Sequence, residues 1–170
     1  MHHFEESAMN VPDATRSVDI RIREATTADL GVIMNHRRRM YEDMGYRDES
    51  ALKAMEVTST SFIRDGLADG TYRGWLVEVS GRVVAGGGLM IVRQPSSPRD
   101  PSSRRSWIMN MYTDPEYRGK GMATSIINTI IAWCRKNGYH WVSLRASDAG
   151  RHLYETLGFK PTNEMRLMLK

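Results

Sequence analysis

Hydrophobic and polar positions along the chain fall into blocks with distinct periods. Val18, Ile20 and Ile22 alternate with Asp19, Arg21 and Arg23, which predicts a half-buried strand. Thr27 and Asp29 offer caps for a helix from about Ala28 to Asp43, ended by Met44-Gly45. A second helix fits residues 48–65, with Leu52, Met55, Ser59, Phe62 and Ile63 on one side and Gly66 after it. Two strands follow, Tyr72–Val79 and Arg82–Arg93, joined by the tight-turn dipeptide Ser80-Gly81. The Pro- and Ser-rich residues 94–105 read as a loop, and Ser106–Tyr112 as a strand running into the turn Thr113-Asp114-Pro115-Glu116. The clearest helix covers about 121–137. Its stripe of Ala123, Ile126, Ile127, Ile130, Ile131 and Cys134 recurs at helical spacing until Gly138 stops it. A strand over Tyr139–Arg145, a short helix over 149–157 and a last strand over Glu164–Leu169 complete the pattern. The order β-α-α-β-β-β-α-β-α-β predicts a mixed α/β layout around one sheet. Residues 1–17 are polar and aperiodic, so a flexible N-terminal tail is expected ahead of a domain over residues 18–170.

Composition narrows this picture without changing it. A chain of 170 residues suits one domain with a sizeable core. The apolar run Val83–Val92 is broken by Gly86, Gly87 and Gly88 and is shorter than the roughly 20 residues a bilayer requires. The opening MHHFEESAMN has no basic region followed by an apolar one, so neither a membrane nor a secretory route is expected. The lone Cys134 can form neither an internal disulfide nor a zinc cage, which favours a cytoplasmic setting. A net charge of +4 suits an anionic ligand, but the arginines are scattered among acids and no nucleic-acid partner is expected. The runs Arg37-Arg38-Arg39 and Arg104-Arg105 read as solvated surface. His36, His140 and His152 lack ligand spacing, so no metal is expected. Gly86-Gly87-Gly88 sits inside a strand with no helix after it, which points to a bulge or close packing and not to a phosphate loop.

The chemistry concentrates at the joint Tyr117-Arg118-Gly119-Lys120-Gly121-Met122-Ala123-Thr124, between a strand and the clearest helix. A helix start leaves its first N–H groups without partners and carries roughly half a positive charge. Glycines just ahead of it let backbone approach a ligand, and Arg118 and Lys120 add charge at the edge. The arrangement suits a phosphate or diphosphate. It is neither a P-loop, since G-x-x-x-x-G-K-[ST] is missing, nor G-x-G-x-x-G, since Thr124 stands where the third glycine belongs.

The run Pro115-Glu116-Tyr117-Arg118-Gly119-Lys120-Gly121-Met122-Ala123 resembles the acetyl-CoA signature [QR]-x-x-G-x-[GA] of the GNAT superfamily of N-acetyltransferases. Leu153-Tyr154-Glu155-Thr156-Leu157-Gly158-Phe159 resembles that family's L-Y-x-x-x-G-F segment, at the proper separation and in the expected order. The resemblance implies a single GNAT-like α/β domain: a mostly antiparallel sheet of six to seven strands, about four helices, and a splayed strand pair that holds the cofactor. It implies acetyl-CoA as co-substrate and an amine-bearing small molecule or peptide as acceptor, and it leaves a homodimer open. By the same resemblance the cofactor is held at Met111, Tyr112, Thr113, Arg118, Gly119, Lys120, Gly121, Met122, Ala123, Thr124, Ser147 and Arg151, and Tyr154 is the general acid.

The chain departs from the family pattern in three places. Glu116 stands at the Gln/Arg position, where it is expected to point to solvent. Ser147 stands where an Asn often touches the cofactor, and only one convincing strand follows Phe159. No general base is named; Glu78 is a candidate by alternation, and a water chain would serve equally. The segment Tyr41–Glu49, with its acids and tyrosines, would suit a cationic amine or be an ordinary solvated helix end. Two rival readings share the cradle, a non-catalytic acyl-CoA-binding module and a nucleotide-binding protein.

Overall fold

The structure is a computed structural model that describes residues 19–169; the tail expected over residues 1–17 lies outside the described residues. Strand β1 (Ile20–Glu24) leads through a short 3-10 turn into helix α1 (Leu30–Asp43), and α2 (Glu49–Asp69) follows. Strands β2 (Tyr72–Val79), β3 (Arg82–Arg93) and β4 (Arg104–Thr113) come next, then α3 (Met122–Lys136), β5 (Ser143–Leu144) and α4 (Asp148–Thr156). The sheet has the order β1-β2-β3-β4-β5. Its first four strands pair antiparallel and β5 lies parallel to β4.

Alternation along β2 sorts its side chains onto two layers. Trp75, Val77 and Val79 face a core built with Met122, Ile126, Ile127, Ile130 and Cys134 of α3. Tyr72 and Leu76 face a smaller core with Ile33 of α1 and Ile63 of α2. Each fully buried aliphatic side chain on α3 contributes about 1.5–3 kcal/mol, which explains why its stripe carried the strongest signal in the sequence. The β2–β3 hairpin turns at Ser80 and Gly81, both at positive φ (50° and 81°), as a two-residue turn matched to strand twist requires.

The expected six to seven strands are five among the described residues. The strand expected over Glu164–Leu169 is not formed, and Met165, Leu167, Met168 and Leu169 are exposed. The strand expected over Tyr139–Arg145 shrinks to Ser143–Leu144. Its first residues close α3 instead: Tyr139 N–H donates to the Cys134 carbonyl at 3.0 Å, and its ring lies 5.7 Å from that of Trp133. So short a β5 offers little edge for another strand to extend.

Other expectations shift by smaller amounts. Helix α2 continues past Gly66, whose missing side chain lets Tyr72 Cβ lie 2.6 Å from where a Cβ would stand. Phe62, placed on the inward side of that helix, is half exposed. Arg105 is not solvated surface, because it is buried and pairs with buried Asp100 at 2.8 Å, pinning the loop before β4. None of the described helices is long and apolar enough to cross a membrane.

Candidate active site

The joint between β4 and α3 is a turn followed by two glycines in the left-handed region. Asp114, Pro115 and Glu116 begin a 3-10 turn, closed by Tyr117 N–H donating to the Asp114 carbonyl at 2.9 Å. Gly119 (φ 73°) and Gly121 (φ 81°) then swing the chain into α3, a path that costs an L-residue roughly 1–2 kcal/mol per position. No atom lies within 4 Å of where a Cβ would stand on either glycine, so the backbone there faces open space. The first amide of this segment to find an acceptor is Ser125 N–H, bonded to the Gly121 carbonyl at 3.0 Å. Among the described residues, the N–H groups of Gly119 through Thr124 donate to no protein acceptor. The main-chain donors at the expected cradle are therefore unclaimed. Of its charged neighbours, Lys120 Nζ sits 5.3 Å over the Tyr117 ring. Arg118 is tied back, donating to the Thr113 carbonyl at 2.9 Å and to Asp43 Oδ2 at 2.5 Å. Glu116 is 75% exposed, as its place in the motif led one to expect.

Strand β4 presents a free edge beside this cradle. It meets β5 only at Trp107 and Ile108, so Met109–Thr113 has no strand partner on that side among the described residues. The separation coincides with a bulge, where the register against β3 shifts between Gly86 and Gly88 and Asn110 takes φ 55°. Side-chain hydrogen bonds hold Asn110 in this conformation. Its Nδ2 donates to the buried Tyr72 hydroxyl at 3.0 Å, and its Oδ1 accepts from Arg37 Nη1 at 2.5 Å. The glycine triplet is close packing, as expected. A Cβ on Gly88 would collide with the Tyr72 hydroxyl, and one on Gly87 with Met111 Sδ and Ile126. Met111 thus packs toward α3 while Met109 packs toward α1 and α2. The buried Tyr112 ring packs at a tilt against His36, 4.9 Å between centroids.

Tyr154 lies on α4, half-buried, with its ring edge-on to Phe159 at 5.7 Å. Burial raises its pKa above the ordinary phenol value, so the hydroxyl stays protonated through neutral pH. It packs on the same apolar cluster as Met111 and Met122. With Arg151 it lines a cleft of about 290 Å³ beside Trp107, Ser143 and Leu144; the residues of the glycine joint do not line that cleft. Ser147 caps α4, its Oγ accepting from Gly150 N–H at 3.2 Å, which accounts for a serine at this position without a ligand.

On the α1–α2 side the structure brings together residues that spacing did not connect. Buried Asp114 accepts from Arg39 at 2.9 Å and Arg82 at 2.8 Å, fixing the turn before the cradle to α1 and β3. Arg38 gathers Glu42, Glu49 and Glu56 at 2.8, 2.6 and 3.2 Å. Arg37 reaches Asn110 at the bulge. The triple arginine is thus three separate braces and not a solvated run. The signal that could have found it is the presence of the partners in turn and helix-end positions, but their pairing needs the fold. Glu78 is removed as a candidate base, since it pairs with Arg23 of β1 at 2.6 Å, two strands away from β4. Among the described residues no cluster of His, Cys, Asp and Glu is suited to a metal ion.

Residues 33–159 match the model of the acetyltransferase (GNAT) family. Over 93 residues the chain is 30% identical to human N-acetyltransferase 8B; that match takes in 53% of this chain and only 39% of that protein's length. A GCN5-related N-acetyltransferase from Ralstonia eutropha superposes with a TM-score of 0.83 at 33% identity, over 89% of this chain and 99% of that one. A predicted acetyltransferase from Clostridium acetobutylicum, solved with acetyl-CoA, gives a TM-score of 0.81 at 25% identity, over 88% and 96%. With a left-handed glycine joint ahead of α3, a bulged β4 parting from β5, and a family match that spans both, this chain belongs to the GNAT acetyltransferase family.

Proposed function

We propose that residues 18–170 form an acetyl-CoA-dependent N-acetyltransferase that moves an acetyl group to a primary amine by direct attack, with Tyr154 as general acid. The observation that carries this reading is the row of unclaimed amides from Gly119 to Thr124, set beside the free edge of β4. Both fit the cofactor: the amides and the α3 N-terminus suit its diphosphate, and the open main chain from Met111 to Thr113 suits the amide groups of its arm. Hydrogen bonds to a charged acceptor contribute about 1.5–3 kcal/mol each, so a few such donors would dominate affinity. When bound, acetyl-CoA supplies an acyl thioester.

The chain's own residues supply the rest. Arg118, held against Asp43 and Thr113, keeps the glycine joint in place. The bulge at Asn110 lies within the stretch of β4 that β5 leaves unpaired. Tyr154, a phenol protonated at neutral pH whose pKa burial raises further, is the group that gives a proton to a departing thiolate. An alkyl ammonium lies about 3.4 pH units from its neutral form at pH 7, so turnover should rise with pH as the amine loses its proton.

Thiol release from acetyl-CoA across a panel of amines tests the activity. Tyr154→Phe should lower kcat by about 10²–10⁴-fold while CoA affinity stays within about twofold. A variant as fast as wild type would remove Tyr154 from the mechanism. Tight CoA binding without thiol release on any amine would replace the enzyme with an acyl-CoA-binding module.

A further inference from the structure

The segment Tyr41–Glu49, which could suit a cationic amine or be an ordinary helix end, has its acids already engaged. Glu42 and Glu49 are held by Arg38, Asp43 by Arg118, and Asp48 caps α2 by accepting from Ala51 N–H at 3.1 Å. The Tyr41 ring, which could have received a cation on its face, is covered by Arg37 at 5.1 Å and edge-on to Tyr46 at 5.4 Å. Arg37 itself has the opposite character. It is a half-buried guanidinium with no carboxylate within ion-pair distance among the described residues, whereas its neighbours Arg38 and Arg39 both have one.

Its contacts are neutral: Nε faces Ser59 Oγ at 3.1 Å and Met55 Sδ at 3.3 Å, and Nη1 donates to Asn110 Oδ1. Nη2 has only the Tyr41 hydroxyl at 3.5 Å, the outer limit of a hydrogen bond. A guanidinium carries five N–H donors, so part of its fork remains unused. Both sides of β4 carry apolar core, the smaller one on the α1–α2 side, and half-buried Arg37 reaches the bulge from that side. An acceptor arriving there meets an uncompensated planar cation held against the residue at which the strand parts.

Resting on the acetyltransferase reading, we infer that the acceptor is an amine that also carries an oxyanion, a carboxylate or a phosphate, and that Arg37 binds that anion. The planar fork matches either group through paired charge-assisted hydrogen bonds, and burial strengthens the pairing. Ser59, Tyr41 and Asn110 hold the guanidinium in position, so little side-chain freedom is lost on binding.

The test is calorimetric titration of the CoA-loaded full chain with two matched pairs, β-alanine against propylamine and O-phosphoethanolamine against ethanolamine. At least one anionic member should bind about tenfold or more tighter than its partner, and the two pairs tell carboxylate from phosphate. In Arg37→Met that ratio should fall to near one, and Arg37→Lys should recover part of it. CoA affinity measured on each variant reports whether the fold is intact. Equal binding within both pairs, no binding of either anionic amine, or a ratio unchanged in Arg37→Met would overturn the inference. Thiol release with acetyl-CoA on the same compounds is read separately: an anion preference without turnover removes the transferase and keeps the anion site, and turnover without preference does the reverse.

Discussion

The two faces of the sheet are built by different means. On the α3 face an apolar stripe packs on Trp75, Val77 and Val79, and the ligand-facing groups are main-chain amides that two glycines leave open. On the α1–α2 face the apolar core is smaller, and His36, Asn110 and Asp114 are buried within a set of arginine contacts that joins α1 to β4 and to the turn before α3. Main-chain donors suit any group of the right charge, whichever side chains surround them, as a cradle for a shared cofactor would require. Side chains that meet from several segments can differ from protein to protein, and this is where an acceptor would be chosen. Under the proposed function, affinity for the common ligand would rest on the first face and selectivity on the second.

Substitutions on each face can break or sharpen that contrast. The largest effect is expected from Gly121→Val, which should abolish CoA binding in calorimetry. Because Gly121 sits at φ 81°, the β-branched side chain should also lower stability by roughly 1–2 kcal/mol, seen as a drop in the thermal midpoint. Retained CoA affinity would show that the amides ahead of α3 are not the anion site.

On the other face, buried His36 has its pKa lowered to about 4 by loss of hydration, and its Nδ1 has no hydrogen-bond partner. The unfolded chain takes up a proton through the ordinary value near 6.5, whereas the native imidazole resists until about 4. Stability from this group is therefore full above pH 6.5 and falls by about 3 kcal/mol as pH drops to 4. His36→Phe should flatten that part of the profile in urea titrations, and an unchanged slope would mean the imidazole is hydrated in the native state. Asp114→Asn should cost about 2 kcal/mol, since Arg39 and Arg82 are 40% and 60% exposed and water screens both pairs. If it changes CoA affinity more than stability, Asp114 belongs to the cradle and not to the acceptor face.

Much of the first face could be read from the chain. The α3 stripe, the glycine joint and the Leu153–Phe159 segment are all local, and each lies within a few turns of chain whose period or residue type is decisive. Ser147 and Glu116, two of the three departures from the family pattern, were legible as departures; the fold shows one capping a helix and the other in solvent. The C-terminal strand failed because alternation over Glu164–Leu169 reports only a tendency to extend. Strand formation needs a partner edge, and a β5 of two residues supplies almost none. Tyr139 misled for a related reason, since an aromatic suits a strand but here caps α3 and packs against Trp133.

Local order along the chain thus determined the helices, the first four strands, the fold family and the place where an anion would be held, because helix periods, strand alternation, left-handed glycines and unpaired helix amides depend on residues close in sequence. Tertiary structure alone decided which arginine is compensated and which is not. A charge is balanced by whatever the fold brings within a few ångströms, and Arg37 meets Asn110 and Ser59 where its neighbours Arg38 and Arg39 meet carboxylates.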